Sequence, residues 1–353
     1  MYRYAVEILR RDGTRVGQRE VVPDLSLLVE SMRLTYLRRR GPEAAADYDR
    51  AVEIEPIWHS TLGEPYVGGF ACKTGGETNI ESTAMFRAEA SRVSGEFIKN
   101  GELEDGESFV YLVTAYPDPS VAPPALESPY RVRSLPVTVP VSVGSWTALA
   151  GASNEPEGGL RVAVPRHVVD EVSDLTVARR GVETGGVLIG YVRWDPGLGD
   201  LYIEVTEQIY ARHAEGDATS LHFTPDCWTT IRATLALRNQ GESILGWWHS
   251  HPARGWCAEC PRERQQECPL QKGFLSDHDK ALHRTVFSRT FMSALVATDS
   301  VLGSIQHSMF GWRSGVVDNR GFHTIDESSA SGTAASSEDF PKGEACAQQN
   351  SKP

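Results

Sequence analysis

Ile244-Leu245-Gly246-Trp247-Trp248-His249-Ser250-His251-Pro252 joins a short apolar run to two histidines two residues apart. A run of this kind reads as a buried strand, and along a strand residues i and i+2 share a face, so its end presents both imidazoles together. Two neutral imidazoles on one face can bind a single cation. Farther on, Ser276-Asp277-His278-Asp279 places carboxylates at a predicted helix start. Two nitrogens and one carboxylate oxygen leave zinc an open fourth position for water, the arrangement that hydrolysis needs.

Upstream lies Val182-Glu183-Thr184-Gly185-Gly186-Val187-Leu188-Ile189-Gly190. Taken in order, these elements resemble the JAMM (MPN-plus, JAB) zinc peptidases over residues 160–315. The resemblance implies an α/β fold, an α/β/α sandwich with a mixed sheet flanked by helices. It implies a catalytic zinc on His249, His251 and Asp279, with Glu183 as the general base that takes a proton from the activated water and returns it to the leaving amine. Ser276 becomes a donor to the developing oxyanion, while its plainer role is to cap the helix. The family's serine-to-aspartate offset of three favours Asp279 over Asp277. The implied partner is a ubiquitin-like or sulfur-carrier protein, cut after its terminal glycine. Ser250 points away from the histidines on an extended strand and reads as structural, with Trp247 in the core and Trp248 on the cleft wall.

The spacing departs from the family's commonest pattern, with 24 residues between His251 and Ser276. This insert, 253–275, holds Cys257-x-x-Cys260 and then Cys268. Of six cysteines, three crowd into twelve residues. In a cytosolic chain such a cluster points to metal binding rather than disulfides. Thiolates are preferred zinc ligands, and a tetrahedral site asks for a fourth, for which His213, His222, His278 and His283 are candidates. Some members of the family carry a second, structural zinc near such an insert. An iron–sulfur cluster and three reduced thiols on a loop are the competing readings.

The 353 residues suffice for about two domains, and 40% hydrophobic with 23% charged residues is ordinary for a globular protein. A net charge of −12, with no basic tract longer than Arg38-Arg39-Arg40, argues against nucleic acid as a partner. No apolar run approaches the roughly 20 residues of a membrane span, and no signal peptide is evident, so the expectation is a cytoplasmic protein without a membrane partner.

Residues 1–116 read as a separate α+β domain of unrecognised fold. A hairpin runs through Tyr2–Leu9 and Val16–Val22, a helix capped by Asp24 ends at Gly41-Pro42, and a second helix is predicted over Pro42–Ile54. Gly63 to Gly76 reads as a glycine-rich loop, Thr83–Lys99 as helix and Ser108–Ala115 as a buried strand. Gly75-Gly76 resembles a modifier tail but is internal and reads as a turn. Residues 117–159 form a linker with short strands, 160–325 the peptidase-like domain, and 326–353 a disordered tail poor in apolar residues that contains Cys346.

The sequence therefore predicts a zinc metallopeptidase or isopeptidase. The alternative is a catalytically silent scaffold of the same fold, disfavoured because Glu183, His249, His251, Ser276 and Asp279 are all present. Zinc-dependent nucleobase deamination ranks third, because His-x-His stands where that chemistry uses His-x-Glu.

Overall fold

The computed structural model describes residues 2–47, 49–118, 137–138, 147–148, 159–195, 199–265, 267–301 and 303–325. The predicted tail at 326–353, with Cys346, and most of the predicted linker lie outside the described residues. The chain begins with β1 (Tyr2–Arg10), β2 (Arg15–Val21), α1 (Ser26–Arg40), β3 (Glu53–His59), β4 (Gly63–Thr74), β5 (Glu77–Ser82), α2 (Arg87–Lys99) and β6 (Phe109–Pro117). These strands form one antiparallel sheet in the order β2-β1-β6-β4-β3, with β5 also on β4. Asp24 accepts from the Ser26 N–H at the start of α1, and Gly41 closes it at φ 83, a left-handed value that glycine adopts without strain.

Two expectations fail in this region. The helix over Pro42–Ile54 is only a 3-10 turn, Pro42–Asp47, and the chain then enters β3. Ile54, Pro56 and Trp58 alternate inward along that edge strand, so period-2 burial prevails where a helix was expected. Gly63 to Gly76 is not one loop: as far as Thr74 it is the long strand β4, and only Gly75-Gly76 forms a turn. The strand is crowded on both sides. A Cβ on Gly69 would lie 2.8 Å from the Glu81 carbonyl, and one on Gly68 would lie 3.2 Å from the His59 Cα. These glycines mark close backbone approach rather than a break.

The second sheet starts with the short strands β7 (Val137–Thr138) and β8 (Thr147–Ala148), then β9 (Arg161–Pro165), α3 (Arg166–Ala178), β10 (Gly185–Asp195) and β11 (Asp200–Tyr210). There follow the small hairpin β12 (Glu215–Gly216) and β13 (Leu221–His222), α4 (Pro225–Arg238), β14 (Ser243–His251), α5 (Ala253–Trp256), α6 (Arg262–Gln265) and α7 (Asp277–Val286). The last strands are β15 (Ser293–Asp299), β16 (Ile305–Arg313), β17 (Val316–Arg320) and β18 (His323–Ile325). The sheet order is β17-β16-β15-β14-β10-β11-β9-β18-β8, with β7 beside the far end of β10. It is mixed: β14 runs antiparallel to β10 and parallel to β15.

Strand alternation sorts the core into two layers. Leu188 and Val192 of β10 pack with Val168, Val169 and Val172 of α3 on one face. Val187 and Ile189 pack with Cys227 and Ile231 of α4 and with Phe287, just after α7, on the other. This is the α/β/α sandwich the sequence predicts.

The α3-side core is continuous with that of the N-terminal sheet, running from Val6, Leu28 and Phe97 to Val162, Val192 and Phe322. Polar contacts reinforce the junction. Arg38 of α1 makes a two-pronged pair with Asp200, both contacts at 2.7 Å, and Glu30 accepts from the Arg289 side chain and from the Thr290 N–H. Among the described residues no helix is long and apolar enough to cross a membrane.

Candidate metal centre

The histidine-bearing end of β14 is set by its neighbours. Its backbone pairs with Gly185 and Gly186 on one side and with Val296 to Thr298 on the other. A Cβ on Gly185 would lie 2.4 Å from the Trp248 carbonyl, and one on Gly186 would lie 2.3 Å from the Ile209 carbonyl. The glycine pair therefore lets three backbones close up and brings the segment before it, Glu183-Thr184, against the end of β14. Ser250 secures that contact: its N–H donates to the Thr184 carbonyl at 2.8 Å, and its hydroxyl accepts from the Thr184 N–H at 3.0 Å. Glu183 is held on its other side by its own N–H, which donates to the Asp217 carbonyl at 2.6 Å.

His249 and His251 share the face of β14 that looks toward α4 and α7, with their Nε2 atoms 3.0 Å apart. Asp279 Oδ2 lies 3.6 Å from His249 Nε2, and Glu183 Oε1 lies 4.0 Å from His251 Nε2. All four side chains are buried. Asp279 belongs to a capping box: the Ser276 N–H and hydroxyl donate to Asp279 Oδ2 at 2.8 and 2.7 Å, and the Ser276 hydroxyl accepts from the Asp279 N–H at 3.1 Å. The hydroxyl proton of Ser276 is thus directed at the carboxylate. Asp277 faces solvent beside Lys280, away from the cluster.

Burial sets the protonation pattern. It pushes His251 down from 6.5 to about 3, aided by His249 and opposed by Asp279, so His251 is neutral at pH 7 and has a lone pair to give. It pushes Glu183 up from 4.5 to about 7, with His249 opposing and Asp279 and Asp217 adding. At Asp279 burial also acts upward, but it is outweighed by His249 and the Ser276 donors, which hold the carboxyl well below the usual range.

The donor set fits a zinc ion. Two imidazoles whose Nε2 atoms lie 3.0 Å apart can hold only one proton between those atoms, and Nδ1 of both rings and Glu183 Oε2 are buried without a hydrogen-bond partner among the described residues. Ligand bonds of about 2.0–2.1 Å at a tetrahedral angle place two nitrogens roughly 3.3 Å apart. The His249–His251 and His249–Asp279 pairs, at 3.0 and 3.6 Å, come close to that separation, and all three ligand atoms lie within 4.8 Å of one another.

Aromatic rings enclose the centre. Trp247 stacks on His249 with centroids 4.5 Å apart, and its indole N–H donates to His283 Nδ1 at 3.1 Å. Trp256 and Phe274 lie 5.0 and 4.6 Å from the His251 ring, and the Trp256 N–H reaches across to the Ala218 carbonyl at 2.7 Å. Trp248 is fully buried on the opposite face, bonded to Gln208, so it does not form the expected cleft wall. Residue-by-residue reading of the sequence missed Asp217, Trp256, Phe274 and His283 in these roles. Only Trp256 carried a usable signal, as an aromatic next to the first insert cysteine. A separate cleft of about 580 Å³ lies between the two units, lined in part by Ser31, Arg38, Glu81 and Asp200, away from this chemistry.

Cys257, Cys260 and Cys268 also converge, with their sulfurs within 4.8 Å of one another. None of the four candidate histidines joins them. His283 lies behind Trp247, His222 and His278 pair with each other at 4.9 Å, and His213 is exposed.

Residues 165–255 match the family described as prokaryotic homologs of the JAB domain. The match spans Glu183, His249, His251 and the start of the insert. No curated protein matches the chain. Among solved structures, the solution structure of protein DSY2949 from Desulfitobacterium hafniense is similar at 19% identity over 47% of this chain and 94% of that one, with a TM-score of 0.32. By the family match, residues 165–255 resemble a JAB domain, and the side chains gathered at the end of β14 are suited to a metal.

Proposed function

We propose that the chain is a zinc-dependent metallopeptidase or isopeptidase of the JAMM type, cutting after the C-terminal glycine of a ubiquitin-like or sulfur-carrier protein. The convergence of His249, His251 and Asp279 beside a buried glutamate carries this reading. Bound there, zinc would supply Lewis acidity and lower the pKa of a coordinated water. The chain's own groups do the rest. Neutral His251 and ionised Asp279 are ready ligands at pH 7, and Trp247 and the Ser276 cap fix the planes of His249 and Asp279. The general-base role of Glu183 is supported by its value near 7 in the metal-free protein, its place 4.0 Å from His251 and its buried Oε2, which has no hydrogen-bond partner among the described residues. Trp256 and Phe274 restrict water around the reacting bond.

The test is zinc content together with hydrolysis of a panel of modifier–peptide fusions, for wild type, Glu183→Gln and His251→Ala. Loss of cleavage in both variants is expected, with one equivalent of zinc lost from His251→Ala and none lost from Glu183→Gln. Cleavage that survives His251→Ala sinks the proposal. The silent-scaffold alternative draws support from one observation, the near-complete burial of all four groups. It predicts zinc binding with no cleavage of any fusion.

A further inference from the structure

The insert between His251 and Ser276 is organised around its sulfurs. Cys257 Sγ lies 3.4 Å from Cys268 Sγ, and Cys260 completes a triangle with all edges within 4.8 Å. Backbone and amide donors shape the turns that carry them. The Cys260 N–H donates to the Cys257 carbonyl at 3.1 Å, and the Gln271 N–H donates to the Cys268 carbonyl at 3.0 Å. The side-chain amide of Gln265 donates to both the Cys257 and Cys260 carbonyls, at 3.1 and 3.0 Å. Apolar packing does not account for this gathering, since only Cys257 is buried and the other two are half-exposed. Thiols are weak donors and weak acceptors, so three of them gain little from facing one another, whereas three thiolates around a soft cation gain a great deal.

We propose that Cys257, Cys260 and Cys268 bind a second zinc ion through three thiolates, leaving its fourth position open, and that this ion anchors α5 so that Trp256 stays against His251. The connection is short. α5 spans only Ala253–Trp256, its first residue two positions after His251 and its last immediately before Cys257. The Cys257 N–H donates to the Ala253 carbonyl at 3.0 Å, closing that helix onto the ligand. Gln271 ties the far side of the loop back, its side-chain amide donating to the same Ala253 carbonyl at 3.2 Å and its Oε1 accepting from the Val301 N–H at 2.9 Å. A four-residue helix has no stability of its own. Fixing both ends, one on β14 and one on a metal, is what keeps the indole in place.

The site stands independently of the peptidase reading, because it shares no ligand with the histidine centre. Zinc is counted in full-length wild type, in His251→Ala and in the double variant Cys260→Ser/Cys268→Ser, which alters only the half-exposed thiols. Each protein is then reconstituted with cobalt. Two zincs in wild type and one in each variant are expected. The near-ultraviolet thiolate-to-cobalt charge-transfer band should persist in His251→Ala and vanish in the double variant. Wild type needs no folding control: a mercurial that titrates its thiols should release one equivalent of zinc to a chromogenic chelator. Thiols that react with no zinc released, iron in place of zinc, or a Cys257–Cys268 disulfide in the purified protein would each overturn the site. A thiolate band that persists while His251→Ala loses no metal would instead overturn the peptidase reading and leave this one standing.

Discussion

Glu183 and His251 lie about 4 Å apart, yet their titrations act on stability in opposite senses. Glu183 rises from 4.5 to about 7, so between those pH values the folded metal-free chain holds more protons than the unfolded one, and stability falls as pH rises through the window. His251 drops from 6.5 to about 3, so stability falls as pH drops below 6.5. In the presence of chelator, Glu183→Gln should therefore be more stable than wild type, by a larger margin at pH 8 than at pH 5. Urea midpoints at the two pH values decide this, and an equal margin would refute the burial argument. With metal bound, the same substitution should cost about 100- to 10,000-fold in turnover while leaving zinc stoichiometry unchanged. Ser250→Ala removes the acceptor of the buried Thr184 N–H and should destabilise by about 1–3 kcal/mol, read as a shift of the unfolding midpoint.

At the scale of the element, the capping box of α7 joins folding to ligation, because the Ser276 donors that start the helix also orient the carboxylate facing His249. Ser276→Ala should lose about 0.5–2 kcal/mol of stability. It should also weaken zinc at the histidine centre by about 10- to 100-fold, measured by competition with a chromogenic chelator. Ser276→Thr, which can keep the cap, should recover both. If only stability changes, the serine is a cap and nothing more. These helix and strand starts were legible in the sequence because capping residues and alternation are local signals. β3 and β4 were not, since Pro56 and the glycines of β4 read locally as breakers. Their strand state comes from pairing with partners outside each segment, β4 lying against β3, β5 and β6.

Across the whole molecule, α1 couples the two sheets. Its Leu28 and Leu37 belong to the same continuous core as Val162 and Phe322, and Arg38 and Glu30 reach across to Asp200, Arg289 and Thr290. One core implies one cooperative unit. Calorimetry of the full chain should show a single transition, and two well-separated transitions would refute the coupling. Glu30→Ala should cost about 1.5–3 kcal/mol, as expected for hydrogen bonds to a charged group, and should lower that single transition rather than split it.

By itself the sequence determined the sandwich, the set of candidate ligands and the thiol-rich insert. Each is written in short-range form: two histidines at strand spacing, a serine three residues before an aspartate, cysteines three apart. Only the tertiary structure decided which of those groups meet. It put Asp279 beside His249 and turned Asp277 to solvent, carried Glu183 to the end of β14 through Gly185-Gly186, and kept all four candidate histidines away from the cysteines. It also packed Trp256 and Phe274 around His251 and merged the two cores into one. Those outcomes depend on how closely backbones distant in sequence can approach and on which faces are left to bury, and neither quantity is encoded within a window of neighbouring residues.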